Sequence, residues 1–141
     1  MQDNIKQWIN TVSIPKTELG GMSVCPYARG AKYELVETDG YNINPPSENF
    51  ELIIYKLPNH YTIEELFSIA ANYNNIFPKM IFLPDHKDKK TFINGVQTNN
   101  GIYNLILCQY RDNLESARSK LKTSNYYNHW DKDYLNEIFN T

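Results

Sequence analysis

Cysteine is scarce in this chain of 141 residues: there are two, Cys25 and Cys108. Two thiols cannot build the disulfide framework of a small secreted domain, so a reducing, cytoplasmic setting is expected. Charge of one sign is also lacking. The 14 basic and 16 acidic residues leave a net charge of -2, which offers no positive field for a phosphate backbone, and no nucleic-acid partner is expected. No apolar run approaches the roughly 20 residues of a membrane span, so no membrane partner is expected either. Met1-Gln-Asp-Asn-Ile-Lys6 lacks the basic-then-apolar order of a secretory signal. There is no Walker-type loop, no Gly-x-Gly-x-x-Gly and no Ser nucleophile elbow, which removes the usual signatures of nucleotide binding and serine hydrolysis.

What the chain has in quantity is apolar and aromatic surface. Hydrophobic residues make up 41% and there are 11 tyrosines, enough for one folded domain over residues 1–141 rather than a disordered chain. The abundance of Asn, Lys, Ile and Tyr matches AT-rich codons and points to a bacterial or phage genome.

Apolar spacing divides the chain. Ile5, Trp8, Ile9 and Val12 recur at helical spacing, with Asp3 or Asn4 as cap, and Ile14-Pro15 ends that helix. Lys32–Glu37 is either a strand, which its alternation favours, or the end of a helix led by Pro26. Asp39–Asn49, with Gly40, Pro45 and Pro46, is a loop that is either a lid or a connection. Phe50–Leu57 is the clearest strand, apolar enough for burial on both faces. Thr62-Ile63-Glu64-Glu65 is a capping-box pattern, opening a helix expected to run to about Asn75, before Pro78. Lys79–Leu83 is a second apolar strand, followed by the charged stretch Pro84–Lys90. Thr91–Ile93 leads into the turn dipeptide Asn94-Gly95, and Ile102–Tyr110 is a further strand. Asn113 caps a helix with Leu114, Ala117 and Leu121, and Asp131 or Asp133 caps a last one. The expected class is α/β in the α+β sense: a single mixed or antiparallel sheet of about four strands with helices packed on it, ferredoxin-like or thioredoxin-like.

Chemistry centres on Met22-Ser-Val-Cys25-Pro26-Tyr27-Ala28-Arg29-Gly30. Pro26 suits the first position of a helix, which would put Cys25 at its N-cap, where the dipole and Arg29 favour a thiolate. The alternative is a buried cysteine acting as a small hydrophobe. His86 is the candidate proton acceptor for the thiol, with Asp85 or Asp88 to orient the ring. The alternative there is a solvated charged loop. Cys25, His86, Cys108 and His129 fall in no ligand spacing, so no metal is assigned. Tyr126, Tyr127, His129 and Trp130 form an aromatic cluster that either stacks on a ligand or packs a helical corner.

Cys25-Pro26-Tyr27 followed by Ala28 resembles the Cys-Pro-Tyr-Cys of glutaredoxins, with Ala28 in place of the resolving cysteine. Phe77-Pro78-Lys79-Met80-Ile81-Phe82 is similar to the proline-led strand that faces the thiol in thioredoxin-like proteins. A second resemblance covers more of the chain. Trp8, Cys25-Pro26-Tyr27-Ala28, His86, and Thr98-Asn99 with Tyr103–Arg111 are similar, in order, to a family of uncharacterised small bacterial proteins carrying an N-terminal Leu-Cys-Pro-Phe-Ala segment. The resemblance marks positions without supplying an activity.

The expectation is a small thiol-dependent enzyme. Cys25, His86 and Asp85 would be catalytic, and Arg29, Tyr27, Thr98 and Asn99 would bind a small anionic substrate. The alternatives are a non-catalytic binding or accessory module with a structural Cys25, and a monothiol glutaredoxin-like redox carrier. Cofactor and oligomeric state are left open by the sequence.

Overall fold

A computed structural model of the chain describes residues 2–13, 32–46, 50–93, 95–122 and 132. The elements, in order, are α1 (Gln2–Ser13), β1 (Tyr33–Glu37), β2 (Leu52–Leu57), α2 (Ile63–Ile76), β3 (Met80–Asp85), β4 (Phe92–Ile93), β5 (Val96–Gln97), β6 (Asn104–Tyr110) and α3 (Arg111–Lys122). They fall in two compact units. One comprises Met1–Gly30, Thr91–Thr98 and Ser116–Thr141, the other Ala31–Lys90 and Asn99–Glu115.

The second unit contains a mixed four-stranded sheet in the order β1-β2-β6-β3. β2 pairs with β6 antiparallel and β6 with β3 antiparallel, so β2 and β3 run in the same direction on either side of β6. Helix α2 joins them, making a split β-α-β unit. β1 lies parallel to β2 at one edge and β3 forms the other. The chain is therefore of the expected α+β class, with one mixed sheet.

Alternation along the strands sets the two faces. Ile53, Tyr55, Met80, Phe82, Ile106 and Cys108 share one face and pack with Leu66, Ala70 and Tyr73 of α2 in the main core. On the opposite face Ile54, Ile81 and Leu105 are also buried, as the unbroken apolar run of β2 requires. Helix α2 begins with the expected capping box: Thr62 Oγ1 accepts the Glu65 amide at 3.1 Å and the Glu65 carboxylate accepts the Thr62 amide at 3.0 Å. The helix runs to Ile76, one residue past the expected end, and Phe77 closes it through its amide to the Tyr73 carbonyl.

Strand β3 extends beyond the expected Leu83, through Pro84 to Asp85. The reason lies in its edge position. Asn74 of α2 accepts the Phe82 amide at 2.7 Å and donates to the Phe82 carbonyl at 3.1 Å. Phe82 therefore turns its backbone groups away from β6, and by alternation so does Pro84. The missing N–H of Pro84 falls on the free edge, where no ladder bond is lost.

The loop after β1 is tied down. Tyr61 donates its hydroxyl to the Asp39 carbonyl at 2.6 Å, and Tyr73 donates to the Gly40 carbonyl at 3.0 Å while accepting the Ile43 amide at 3.1 Å. Gly40 has φ +98°, and a Cβ there would lie 3.1 Å from Leu57 Cδ2 and 3.2 Å from the Tyr61 hydroxyl. Of the two readings of this loop, described over 38–46, anchored connection fits its buried hydrogen bonds and lid does not.

In the first unit, α1 buries Ile5 and β4 pairs with β5 across the expected Gly95 turn, where φ is +84°. The turn requires this left-handed angle, which glycine adopts without strain. The expected last helix and the cluster Tyr126–Trp130 lie outside the described residues.

Candidate functional site

Buried polar residues of the second unit, His86 and Asn104, lie where β2 and β3 end and β6 begins. β6 opens with Asn104, which is fully buried on the α2 face of the sheet. Its amide donates to the Pro58 carbonyl at 3.1 Å and more weakly to the Tyr61 carbonyl at 3.4 Å, while its oxygen accepts the Lys87 amide at 3.1 Å. One side chain thus ties the end of β2, the approach to α2 and the loop after β3.

His86 stands beside it, with 3% of its surface exposed. Its Nε2 lies 2.7 Å from the Tyr61 carbonyl, and its Nδ1 accepts the Asp88 amide at 3.0 Å. A carbonyl only accepts, so Nε2 carries the proton, and the ring is neutral in the Nε2–H tautomer. Both nitrogens are therefore held by backbone groups 25 and 2 residues away in the chain.

Asp85 faces elsewhere. It pairs with Leu105 and shares the opposite face of the sheet with Leu83 and Ile81. The carboxylate of Asp85 accepts the Asn100 amide at 3.2 Å. Burial pushes its pKa up to about 6, against the hydrogen bonds from Asn100, which pull it down. Asn100 in turn organises its own loop: its oxygen accepts the Ile102 and Tyr103 amides at 2.9 and 2.6 Å, and its amide donates to the Tyr103 carbonyl at 3.0 Å. The expected orienting of His86 by the carboxylate of Asp85 or Asp88 is not the arrangement found, since that of Asp85 accepts from Asn100 and that of Asp88 pairs with Lys87. The Asp88 backbone amide holds Nδ1 instead.

The charged stretch 86–90 is a turn fixed at several points rather than a free loop. The Lys89 amide bonds the His86 carbonyl at 3.2 Å, and the Lys89 ammonium sits 4.3 Å from the centre of the Phe67 ring. Lys87 and Asp88 form an exposed ion pair at 3.0 Å.

Thr98 belongs to the first unit. Its hydroxyl meets that of Thr91 and its carbonyl accepts the Trp8 indole N–H at 2.8 Å. Asn99 is buried and belongs to the second unit. Cys25, Tyr27 and Arg29 lie outside the described residues. Cys108 is buried in β6, as expected for a core position, and burial pushes its thiol up to about 12. Among the described residues no group of His, Cys, Asp and Glu is placed to hold a metal ion, and no helix is long and apolar enough to cross a membrane.

Two residues of this network escape sequence reasoning, Asn104 and Asn100. Asn100 stands in Thr98-Asn99-Asn100-Gly101, whose composition marks a turn but not its tie to Asp85. For Asn104 the signal was its place at the head of an otherwise apolar strand, where a buried amide must find partners.

Searches of protein-family models, curated proteins and solved structures find no match to this chain.

Proposed function

We propose that the chain works by binding, as a non-catalytic accessory module. One observation carries this reading: the ring of His86 is buried and commits both nitrogens to backbone groups, at 2.7 and 3.0 Å. A general base needs a nitrogen within reach of the proton it abstracts. Here such a nitrogen becomes available only by giving up a backbone contact in a buried place, at a cost of about 1–3 kcal/mol. The histidine that would have activated Cys25 is on this reading a structural member of the sheet end. The small number of thiols suits a reducing cytoplasm.

The test is the pH dependence of iodoacetamide labelling of the native protein, read at each cysteine by mass spectrometry. The module reading expects Cys25 to label like a peptide thiol or only after unfolding, and Cys108 to label only after unfolding. Labelling of Cys25 with an apparent pKa well below the ordinary value of about 8.5 overturns it.

A second reading, a thiol-dependent enzyme acting on a small anionic substrate, is favoured by Asp85, whose pKa of about 6 suits a proton carrier near neutrality. The same labelling experiment separates the readings: a Cys25 that labels with an apparent pKa well below the ordinary value favours the thiol enzyme.

A further inference from the structure

The two edges of the sheet are treated in opposite ways. The outward backbone groups of β3 are covered: the Met80 amide bonds the Phe77 carbonyl at 3.0 Å, Asn74 takes both groups of Phe82, and Pro84 has no N–H. Arg111 reaches the Met80 carbonyl at 3.5 Å as well. This is how sheets resist unwanted pairing.

β1 forms the other edge, and among the described residues it pairs only with β2. The Thr38 amide bonds the Lys56 carbonyl at 3.0 Å, which fixes the alternation: Glu34 and Val36 turn their backbone groups to β2, and Tyr33, Leu35 and Glu37 turn theirs outward. Where β1 and β2 begin lies a cleft of about 560 Å³ lined by Lys32, Tyr33, Glu34, Phe50, Glu51 and Leu52. Phe50 is held in place by stacking on Tyr110, with ring centres 4.5 Å apart. The Glu51 carboxylate accepts the Lys32 amide at 2.8 Å. The cleft carries two carboxylates, Glu34 and Glu51, one lysine, Lys32, and two aromatic rings, Tyr33 and Phe50; further along the edge Glu37 stands in register with Lys56 of β2.

We propose that the outer edge of β1 takes up an extended basic peptide segment as a fifth strand, with one lysine or arginine side chain of that segment seated in the cleft. Backbone pairing to Tyr33, Leu35 and Glu37 supplies a sequence-independent part of the affinity, and alternate side chains supply specificity. Carboxylates beside aromatic rings select a cation. A second copy of this chain is the poorer occupant, because pairing β1 with itself brings the same carboxylates together without added cations. The proposal rests on the binding reading above.

The experiment is a titration of the ¹⁵N-labelled full chain with a capped peptide of about eight residues alternating Thr and Lys, followed by amide shifts and hydrogen exchange. The expected result is shifts concentrated at 33–37 and slowed exchange at Leu35 and Glu37. The same peptide with Glu in place of Lys should not bind. Glu34→Lys combined with Glu37→Lys should weaken binding about tenfold or more. So should Leu35→Pro, which removes an outward N–H while leaving the ladder to β2 intact. Shifts elsewhere, no shifts at millimolar peptide, or equal binding by the double variant overturn the proposal. So does finding the Leu35 and Glu37 amides already protected in the free chain, whether by another part of the chain or by a dimer seen in light scattering. An inert edge with an unreactive Cys25 removes this proposal alone. An activated Cys25 removes the module reading, whatever the edge binds.

Discussion

Replacing Asn104 with leucine, which has the same branching and number of side-chain heavy atoms but bulkier methyl groups, removes the amide without opening a cavity. The structure sets the expected loss. Three contacts disappear: to the Pro58 carbonyl at 3.1 Å, to the Lys87 amide at 3.1 Å, and a long one to the Tyr61 carbonyl at 3.4 Å. The last costs little, because the Tyr61 carbonyl keeps His86 Nε2 at 2.7 Å. The other two backbone groups are orphaned, at roughly 1–3 kcal/mol each when buried. Pro58 and Lys87 are half-buried, so water recovers part of this and the expected total is about 2–4 kcal/mol. Equilibrium urea unfolding reads it as a lower midpoint at constant slope. Asn104→Asp is the paired control. It keeps an acceptor for the Lys87 amide but aims a carboxylate oxygen at two carbonyls, so at neutral pH it should lose more than the leucine variant. A leucine variant within about 1 kcal/mol of wild type, or an aspartate variant more stable than the leucine one, would refute the claim that this amide ties β2, α2 and the loop after β3 together.

Three further expectations follow from contacts on the same unit. Asp85 has its pKa raised by burial from 3.8 to about 6, so the folded state holds a proton that the unfolded chain has lost. The cost of burying the carboxylate is present above pH 6 and is relieved as pH falls towards 4, and Asp85→Asn should be more stable than wild type at pH 7 by on the order of 2–3 kcal/mol, with the gap closing as pH falls through that window. Urea midpoints of both proteins at several pH values check the sign. Gly40→Ala forces φ +98° on an L-residue and a Cβ to 3.1 Å from Leu57, and calorimetry should register a loss of roughly 1–3 kcal/mol. Asn74→Ala exposes the Phe82 amide and carbonyl at the sheet edge. It should lower stability by about 1–3 kcal/mol and raise concentration-dependent association in light scattering.

The elements legible in the sequence are those whose signals are local. Thr62 and Glu65 lie one turn apart, and their reciprocal bonds follow from spacing alone. The run Leu52–Tyr55 is apolar without alternation, and its strand is buried on both faces. The Asn94-Gly95 dipeptide marks a hairpin turn because its geometry needs an αL residue. What could not be read depends on residues far apart in the chain. Pro84 looked like the end of a strand because proline cannot donate, and only the edge position of β3 makes it acceptable. His86 looked like a proton acceptor beside a carboxylate. Its actual partners are backbone groups, which are the same in every residue and leave no trace in composition. Asp85 and His86 are neighbours in sequence, yet Asp85 serves the opposite face of the sheet from Asn104, with which His86 shares the Tyr61 carbonyl. Adjacency in an extended strand separates side chains rather than joining them.

The cover that Asn74 and Pro84 place over β3 limits how far this sheet can grow. A sheet with two open sides can add copies of itself without end, because each addition presents a fresh side to the next. Among the described residues each chain brings one side, β1, that pairs only with β2, and one covered side, β3. If two copies were ever joined through β1, the product would display only closed sides, and growth would stop at a pair. The sheet therefore has a valence of one, and any strand that pairs with β1 also terminates it as a template.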